Sequence, residues 1–194
     1  MCRISSVADI RSGFQFRESV EAVLGGCVGV IQIKDFSDRK QLSVSSIERT
    51  NLDKAYSASL VRRGDVLFLS RGHRPFAVHI DLDLVNTIAS GQFYILSGIH
   101  PSVRPAYLSW ILNQRPMQDL FKQLAKGTHM PFVSMAEFRE LDIPIPPLSV
   151  QEHIVALAAL ADEEQAILAQ IAEKRAHLIQ STCLTAAGAT PVRR

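Results

Sequence analysis

The sequence predicts an α+β protein, in which a β-rich domain with short helices is followed by one long C-terminal α-helix of the coiled-coil type. Short segments rich in β-branched and aromatic residues lie between residues 28 and 99, and turn residues separate them. Pro144, Pro146 and Pro147 then interrupt helix and regular sheet, because proline lacks an amide donor and has a fixed φ. Neither proline nor glycine occurs from Leu148 to Ala187, where strong helix formers dominate.

The β-rich part begins with a short helical turn in this interpretation. Residues 7–13 predict such a turn, closed by Gly13 at the position after the last helical residue. Apolar segments bounded by turn residues then predict strands. These strands are residues 28–36, 66–70, 76–80, 85–89 and 91–99. The strands 76–80 and 85–89 are expected on either side of a turn that contains Asp81 and Asp83.

A helix follows these strands. Pro105 fits the first helical position, where its missing amide hydrogen is not needed. Pro116 predicts a kink or break near Gln114, because a proline ring clashes with the preceding turn. Gly127 is the expected stop of this helical segment.

Two capping boxes mark the starts of later helices. Ser134 with Glu137 predicts the start of a short helix, because each side chain satisfies an amide of the other residue. Ser149 with Glu152 predicts the same arrangement at the start of the long helix.

The proline segment divides the chain into a domain of residues 1–147, a long helix of residues 148–187 and a flexible tail of residues 188–194. A helix of roughly 35 residues is on the order of 50 Å long, which a domain of this size cannot cover. Its apolar residues follow a heptad spacing, interrupted by Glu164 and Arg175. The seam consists of Ile154, Leu157, Ala161, Leu168, Ile171 and Leu178. A coiled-coil contact with a partner is expected, and packing along the chain's own domain is the alternative.

Composition limits the possible classes of protein. The chain has 194 residues, 47% hydrophobic residues and a net charge of +2. This charge permits nucleic-acid binding without requiring it. No apolar run reaches membrane-spanning length, and the start of the chain lacks the apolar region of a signal peptide. Together with three scattered cysteines, these features predict a cytoplasmic protein.

Motifs for catalysis are missing from the sequence. The six histidines show no zinc-binding spacing, and there is no dinucleotide-binding or phosphate-binding glycine loop. We therefore expect no catalytic residues, no metal and no cofactor in this chain. An enzyme acting alone would need an unrecognised site in residues 64–75.

Basic side chains cluster in three predicted loops, where they can reach a phosphate backbone or base edges. The candidate DNA-binding residues are Gln32, Lys34, Arg39, Lys40, Arg71, His73, Arg74, Lys126, Thr128 and His129. Arg71, Arg74 and Lys126 are the candidates for phosphate contact. Gln32, Lys34, Thr128 and His129 are candidates for base contact. Solvated loop charge explains each cluster equally well.

Three passages of the sequence resemble the specificity subunit of type I restriction-modification systems. They are GDVLFLSRG, the helix that begins AYLSWILNQ, and the proline segment IPIPPLSVQEHI. The proline segment with Gln151 and Ile154 is the most specific of the three. The family usually has a glutamate directly before that glutamine, and this chain has Val150 there.

This resemblance implies a target-recognition domain that reads one half-site of double-stranded DNA. The long helix would act as a spacer and as a dock for methyltransferase (M) subunits, and the chain itself would be a non-catalytic part of a DNA adenine methyltransferase and endonuclease. The family usually carries two such domains and two long helices, whereas this chain has one of each. Two copies would therefore pair through their helices as a homodimer and present two readers to a split site. The alternative is a protein–protein adaptor or regulator that derives from such a subunit without DNA recognition.

Overall fold

The computed structural model describes residues 1–16, 20–37, 40–52, 55–127 and 130–188. The chain forms two compact units, Met1–Glu152 and His153–Arg194. Strands are concentrated in the first unit and a long helix dominates the second, so the predicted α+β class is confirmed.

The strands of the first unit are short. They are β1 (Cys2–Arg3), β2 (Asp9–Ser12), β3 (Val28–Ile31), β4 (Glu48–Thr50), β5 (Val66–Leu69), β6 (Ala77–His79), β7 (Thr87–Ala89), β8 (Phe93–Ser97) and β9 (Asp142–Ile143). The α-helices are α1 (Ile4–Val7), α2 (Pro105–Leu112), α3 (Arg115–Leu124), α4 (Met135–Arg139) and α5 (Leu148–Ala186). Single 3₁₀ turns occur at Ile33–Asp35, Val44–Ser46 and Ser57–Ser59.

Three sheets organise the first unit. The largest is antiparallel, with the strand order β2-β8-β5-β6. A second sheet has the order β4-β3-β7, in which β3 pairs with β7 in parallel and with β4 antiparallel. In the third, β1 pairs with β9, so that Cys2 lies opposite Ile143.

The central strand β5 is buried on both faces, which explains its uninterrupted apolar sequence. On one face, Phe68 stacks on Phe138 of α4 at a ring-centroid distance of 4.3 Å and lies 4.8 Å from Phe121 of α3. On the other face, Leu67 and Leu69 belong to a buried cluster with residues from both large sheets. Helices α3 and α4 are thereby held against the strand that leads into the basic loop 71–75.

The predicted strand 66–70 is confirmed, and the strand predicted at 91–99 is observed over Phe93–Ser97. The strand predicted at 28–36 ends at Ile31. It ends there because the carboxylate of Asp35 accepts the N–H of Gln32 at 2.8 Å and closes a 3₁₀ turn. The strands predicted at 76–80 and 85–89 both exist, but they belong to different sheets.

The helical turn predicted at residues 7–13 is wrong, since α1 ends at Val7 and β2 follows. Gly13 serves a different purpose. A Cβ atom at this position would lie 2.2 Å from the carbonyl oxygen of Ser90, so only glycine fits.

The predicted break near Gln114 is confirmed, because α2 ends at Leu112 and α3 begins at Arg115. The predicted role of Gly127 is wrong: α3 already ends at Leu124, with Ala125 as its C-terminal cap.

Ser134 is confirmed as the N-terminal cap of α4. Its hydroxyl accepts the N–H of Glu137 at 3.3 Å and donates to the carboxylate of the same residue. The capping box predicted at Ser149 is wrong, because α5 begins one residue earlier, at Leu148. The carbonyl of Pro147 accepts the first helical bonds, from Val150 at 2.9 Å and from Gln151 at 3.1 Å.

Helix α5 contains 39 residues. Residues up to Glu152 belong to the first unit, and the rest of the helix forms the second. Within the described part of the chain, no helix is both long and apolar enough to cross a membrane. Residues 189–194 of the predicted tail lie outside the described residues.

Candidate nucleic-acid interface

The basic loop 71–75 follows directly from the buried strand β5. Its main chain is fixed to the segment before α4, since the N–H of Gly72 donates to Pro131 at 2.8 Å and the N–H of Val133 donates to Ser70 at 3.0 Å. The side chains of Arg71, His73 and Arg74 are exposed. Among the described residues they have no hydrogen-bonding or ion-pair partner, so their donors face solvent.

A second predicted loop meets the first through Phe132. Lys126 and Phe132 exchange two main-chain hydrogen bonds, of 3.0 and 2.9 Å, and Phe132 also lies in a bridge opposite Arg71. The ammonium of Lys126 pairs with Glu137 at 2.9 Å. The hydrogen bond from Ser134, followed by that from Lys126, lowers the pKa of Glu137. The structure thus brings Lys126 and the basic loop 71–75 together.

Lys40 joins the same region through Asn113. The ammonium of Lys40 donates to Asn113 Oδ1 at 2.8 Å. The same oxygen accepts the N–H of Ala77 at 3.1 Å, and Nδ2 of Asn113 donates to the carbonyls of Ala77 and Ser109 at 2.7 and 2.9 Å. Because Ala77 begins β6, directly after the basic loop and Phe76, Asn113 links the position of Lys40 to the end of that loop.

Gln32 and Lys34 form a separate cluster around Glu48. Nε2 of Gln32 donates to Glu48 Oε2 at 3.1 Å, and Nζ of Lys34 lies 2.6 Å from Oε1. The hydrogen bond from Lys34 is the main cause of a lowered pKa of Glu48. Two of the four candidate base contacts are therefore engaged by one carboxylate.

Three of the candidates predicted from the sequence, Arg39, Thr128 and His129, lie outside the described residues.

A small cleft lies beside the basic loop 71–75. Its volume is about 150 Å³, and it is lined by Ser70, Gly72, His73, Pro75, Phe121, Lys122, Ala125, Pro131, Phe132 and Val133. Phe132 is 39% exposed, although phenylalanine is commonly buried. Sequence reasoning missed Phe132, and the only signal was an isolated aromatic residue in an otherwise loop-like passage.

The proline segment is fixed within the first unit by Gln151, which is fully buried. Its Oε1 accepts the N–H of Arg104 at 2.8 Å, and its Nε2 donates to the carbonyls of Ser102 and Pro146 at 2.8 and 2.7 Å. The guanidinium of Arg104 donates in turn to Glu152, with 3.0 Å from Nε to the carboxylate. Glu152 thus serves an ion pair rather than the predicted capping box.

Five of the six residues of the seam predicted on the long helix are exposed, whereas Ile154 is partly buried. Leu157 is 70% exposed and Leu178 is 65% exposed, and Leu168 and Ile171 are each exposed by half or more. Further exposed apolar side chains of this helix are Leu160, Ile167, Ile179 and Leu184. Because such a surface is costly in water, it is typical of a helix that contacts a partner.

A family model described as the type I restriction modification DNA specificity domain matches residues 1–174. The comparison with curated proteins gives no match.

Solved structures of similar fold come from the same kind of system. The S subunit of a type I restriction-modification system from M. genitalium is 17% identical, with a TM-score of 0.57, over 91% of this chain and 42% of that one. The HsdS subunit from Thermoanaerobacter tengcongensis is 20% identical, with a TM-score of 0.61, over 86% and 38%. A chain from a structure on complex assembly and conformational transition of the type I R-M system is 22% identical, with a TM-score of 0.65, over 92% and 42%. The chain therefore spans about two fifths of the length of these proteins.

Proposed function

Because the chain belongs to the type I restriction modification DNA specificity domain family, we propose that its first unit recognises a half-site of double-stranded DNA. The observation that carries this proposal is the exposed basic loop. The side chains of Arg71, His73 and Arg74 in this loop have no hydrogen-bonding or ion-pair partner among the described residues. Arginine is suited to such a role, since its guanidinium matches phosphate oxygens and the major-groove edge of guanine. Buried strand β5 and the Pro131–Val133 main chain hold this loop in place before DNA arrives.

Different basic residues have different proposed tasks. Arg71 and Arg74 contact phosphates, and Lys126 adds a third contact when its ion pair with Glu137 opens. Lys40 lies at the edge of the same surface, held by Asn113. Gln32 and Lys34 contact base edges once their hydrogen bonds to the carboxylate of Glu48 have broken. For Arg39, Thr128 and His129, DNA contact stays a prediction from the sequence.

Two copies of the chain pair through α5 in this proposal. The exposed apolar seam supports it, because burying these side chains in a coiled coil removes them from water. Each copy contributes one recognition domain and one long helix, so that a homodimer presents two domains to a split site. We propose residues 1–147 for recognition and residues 148–187 for pairing and spacing.

The proposed second partner is the methyltransferase (M) subunit of a type I system. The flanks of α5 outside the seam offer it a surface. In this proposal the chain supplies sequence recognition, while methylation and cleavage belong to its partners, and it needs no cofactor of its own.

Selection from a pool of random DNA duplexes, with and without a methyltransferase partner, tests DNA recognition. We expect an enriched motif, and we expect the variant Arg71→Ala/Arg74→Ala to lose affinity for all duplexes with a shallower dependence on salt. Arg63→Ala is a matched control, since Arg63 is exposed but paired with Asp81. Failure to enrich any motif would contradict the proposal and favour an adaptor without DNA recognition.

A further inference from the structure

Phe132 is an exposed aromatic residue on a rigid main chain. Both of its main-chain polar groups are bonded to Lys126, at 3.0 and 2.9 Å. Pro131 precedes it and accepts a bond from Gly72, and Val133, which follows, is buried and bonded to Ser70. These bonds fix the main chain from which the ring projects, and the ring itself is partly exposed.

The cleft beside the ring suits a small apolar group. Much of its lining is apolar, with Pro75, Phe121, Pro131 and Val133 beside Phe132. Its volume of about 150 Å³ is well below the roughly 300–1,000 Å³ of sites for drug-sized ligands. It is large enough for a methyl group together with the edge that carries it.

The surroundings of the cleft indicate which molecule brings this group. Arg71 precedes the cleft-lining Gly72, Arg74 lies between His73 and Pro75, and Lys126 is bonded to Phe132. Arg71 and Arg74 have no anionic partner among the described residues. A polyanion with a small apolar group on an otherwise polar surface matches this arrangement. In the major groove of DNA, the 5-methyl group of thymine is such a group, and phenylalanine is among the residues that contact it.

We propose that Phe132 and its cleft bind the 5-methyl group of one thymine in the recognised half-site. This makes Phe132 a specificity-determining residue. The inference rests on the proposed function, which it deepens by naming the base feature that is read.

The test uses the full-length chain and the motif obtained by selection. Each thymine of the motif is replaced singly by deoxyuridine, which removes only the methyl group. We expect one position at which affinity falls by about fourfold, the effect of withdrawing one methyl group from a buried contact. At that position, Phe132→Ala should bind the thymine and uracil duplexes equally, whereas Phe132→Leu should retain part of the difference. Met130→Ala is the matched control, since Met130 is 57% exposed in the same loop and should keep the full difference.

Several results overturn the inference. One is a selected motif without thymine, and another is a motif in which no deoxyuridine changes the affinity; both leave the proposed DNA recognition intact. A third is Phe132→Ala weakening binding while still distinguishing thymine from uracil, because the ring would then act only through packing. Thermal melting of each variant identifies a folding defect, and Phe132→Tyr then supplies the comparison with an intact ring. Absence of any enriched motif overturns the proposed function itself, and this inference with it.

Discussion

The side-chain carbonyl of Gln151 accepts the main-chain N–H of Arg104 at 2.8 Å, across 47 positions of sequence. Arg104 is the N-terminal cap of α2, and Gln151 lies in the first turn of α5. One buried amide therefore connects the starts of two helices within the first unit.

Replacing this amide should destabilise the first unit. In Gln151→Leu, the N–H of Arg104 and the carbonyls of Ser102 and Pro146 lose their partner, the fully buried amide of Gln151. We expect the free energy of unfolding to fall by about 2–4 kcal/mol, since each buried unpaired polar group costs about 1–3 kcal/mol and part of the loss is relieved by water. Urea denaturation measures the change. Gln170→Leu, on an exposed turn of the same helix, should change the free energy of unfolding by less than about 0.5 kcal/mol. If both variants lost the same stability, the buried amide of Gln151 would not be the cause.

The side chain of Asn113 makes four hydrogen bonds to other described residues, and its removal should be costly for the same reason. Asn113→Ala should lower the free energy of unfolding by about 2 kcal/mol, because both main-chain polar groups of Ala77 lose a partner. Gln114→Ala is the control, since the side chain of Gln114 makes one hydrogen bond within the described part of the chain, to the carbonyl of Trp110. In addition, Lys40→Met should cost little further DNA affinity in the Asn113→Ala background, because the hydrogen bond that positions the ammonium of Lys40 on Asn113 is then missing. Additive losses of affinity, determined in a double-mutant cycle, would show that the two residues act separately.

Glu48 should restrain DNA binding, because it occupies Gln32 and Lys34. Glu48→Gln keeps the size of the side chain but removes the charge that holds the ammonium of Lys34. We expect tighter binding with a salt dependence close to that of wild type, because Gln32 and Lys34 contact base edges rather than phosphates. Titration of a labelled duplex over a range of salt concentrations measures both. Glu21→Gln removes an equal charge from a different position. If it tightened binding by the same factor, the effect of Glu48→Gln would come from net charge and not from the release of Gln32 and Lys34.

The pH dependence of stability should carry a contribution from Glu137. The hydrogen bond from Ser134, and then that from Lys126, hold the pKa of this carboxyl below its usual value of 4.5. A carboxyl whose pKa is lower in the folded state binds fewer protons there, so its stabilisation is complete above the unfolded pKa and is lost as pH falls through the folded value. Melting temperatures from about pH 6 to about pH 3 should show wild type above Glu137→Gln, with a gap that closes on acidification. A gap that stays constant with pH would contradict this origin.

Pairing through α5 predicts that charge on its seam gives a folded monomer. Leu157→Glu, Leu168→Glu and Ile171→Glu together place three carboxylates on positions that are exposed in the single chain. Sedimentation should then report a monomer, while circular dichroism and melting of the first unit stay as in wild type. Ala159→Glu, Ala169→Glu and Gln170→Glu together carry the same charge away from the seam and should leave the dimer intact. Loss of the folded first unit in the seam variant would instead support packing of the helix along its own domain.

Structural features that depend on residues close together in the sequence could be predicted correctly. The strand Val66–Leu69, the break near Gln114 and the cap at Ser134 each follow from a few adjacent side chains. The predicted cap at Ser149 was wrong, because α5 already begins at Leu148 and the carbonyl of Pro147 accepts the first helical bonds.

Structural features that depend on contacts between distant residues could not be predicted from the sequence. Strand β7 pairs with β3 in parallel rather than with its neighbour β6, because the packing of two sheets decides the pairing. The partner of Glu152 is Arg104, 48 positions earlier in the chain. The candidate site was predicted as separate basic loops. In the structure, Phe132 contacts both Lys126 and Arg71 and so joins two of these loops, a contact between distant parts of the chain.

The pairing of β1 with β9 has a consequence for biosynthesis. Cys2 lies opposite Ile143, and Ile4 is fully buried, so the segment from Cys2 to Ile4 needs a strand from the far end of this unit, which is synthesised much later. Strand β2 likewise cannot pair until β8, more than eighty positions later in the chain, has been synthesised. Contacts so far apart in sequence slow folding and leave apolar strands uncovered on the nascent chain. We therefore expect the first unit to acquire its protected state only after Ile143 has left the ribosome, and to depend on chaperones until then.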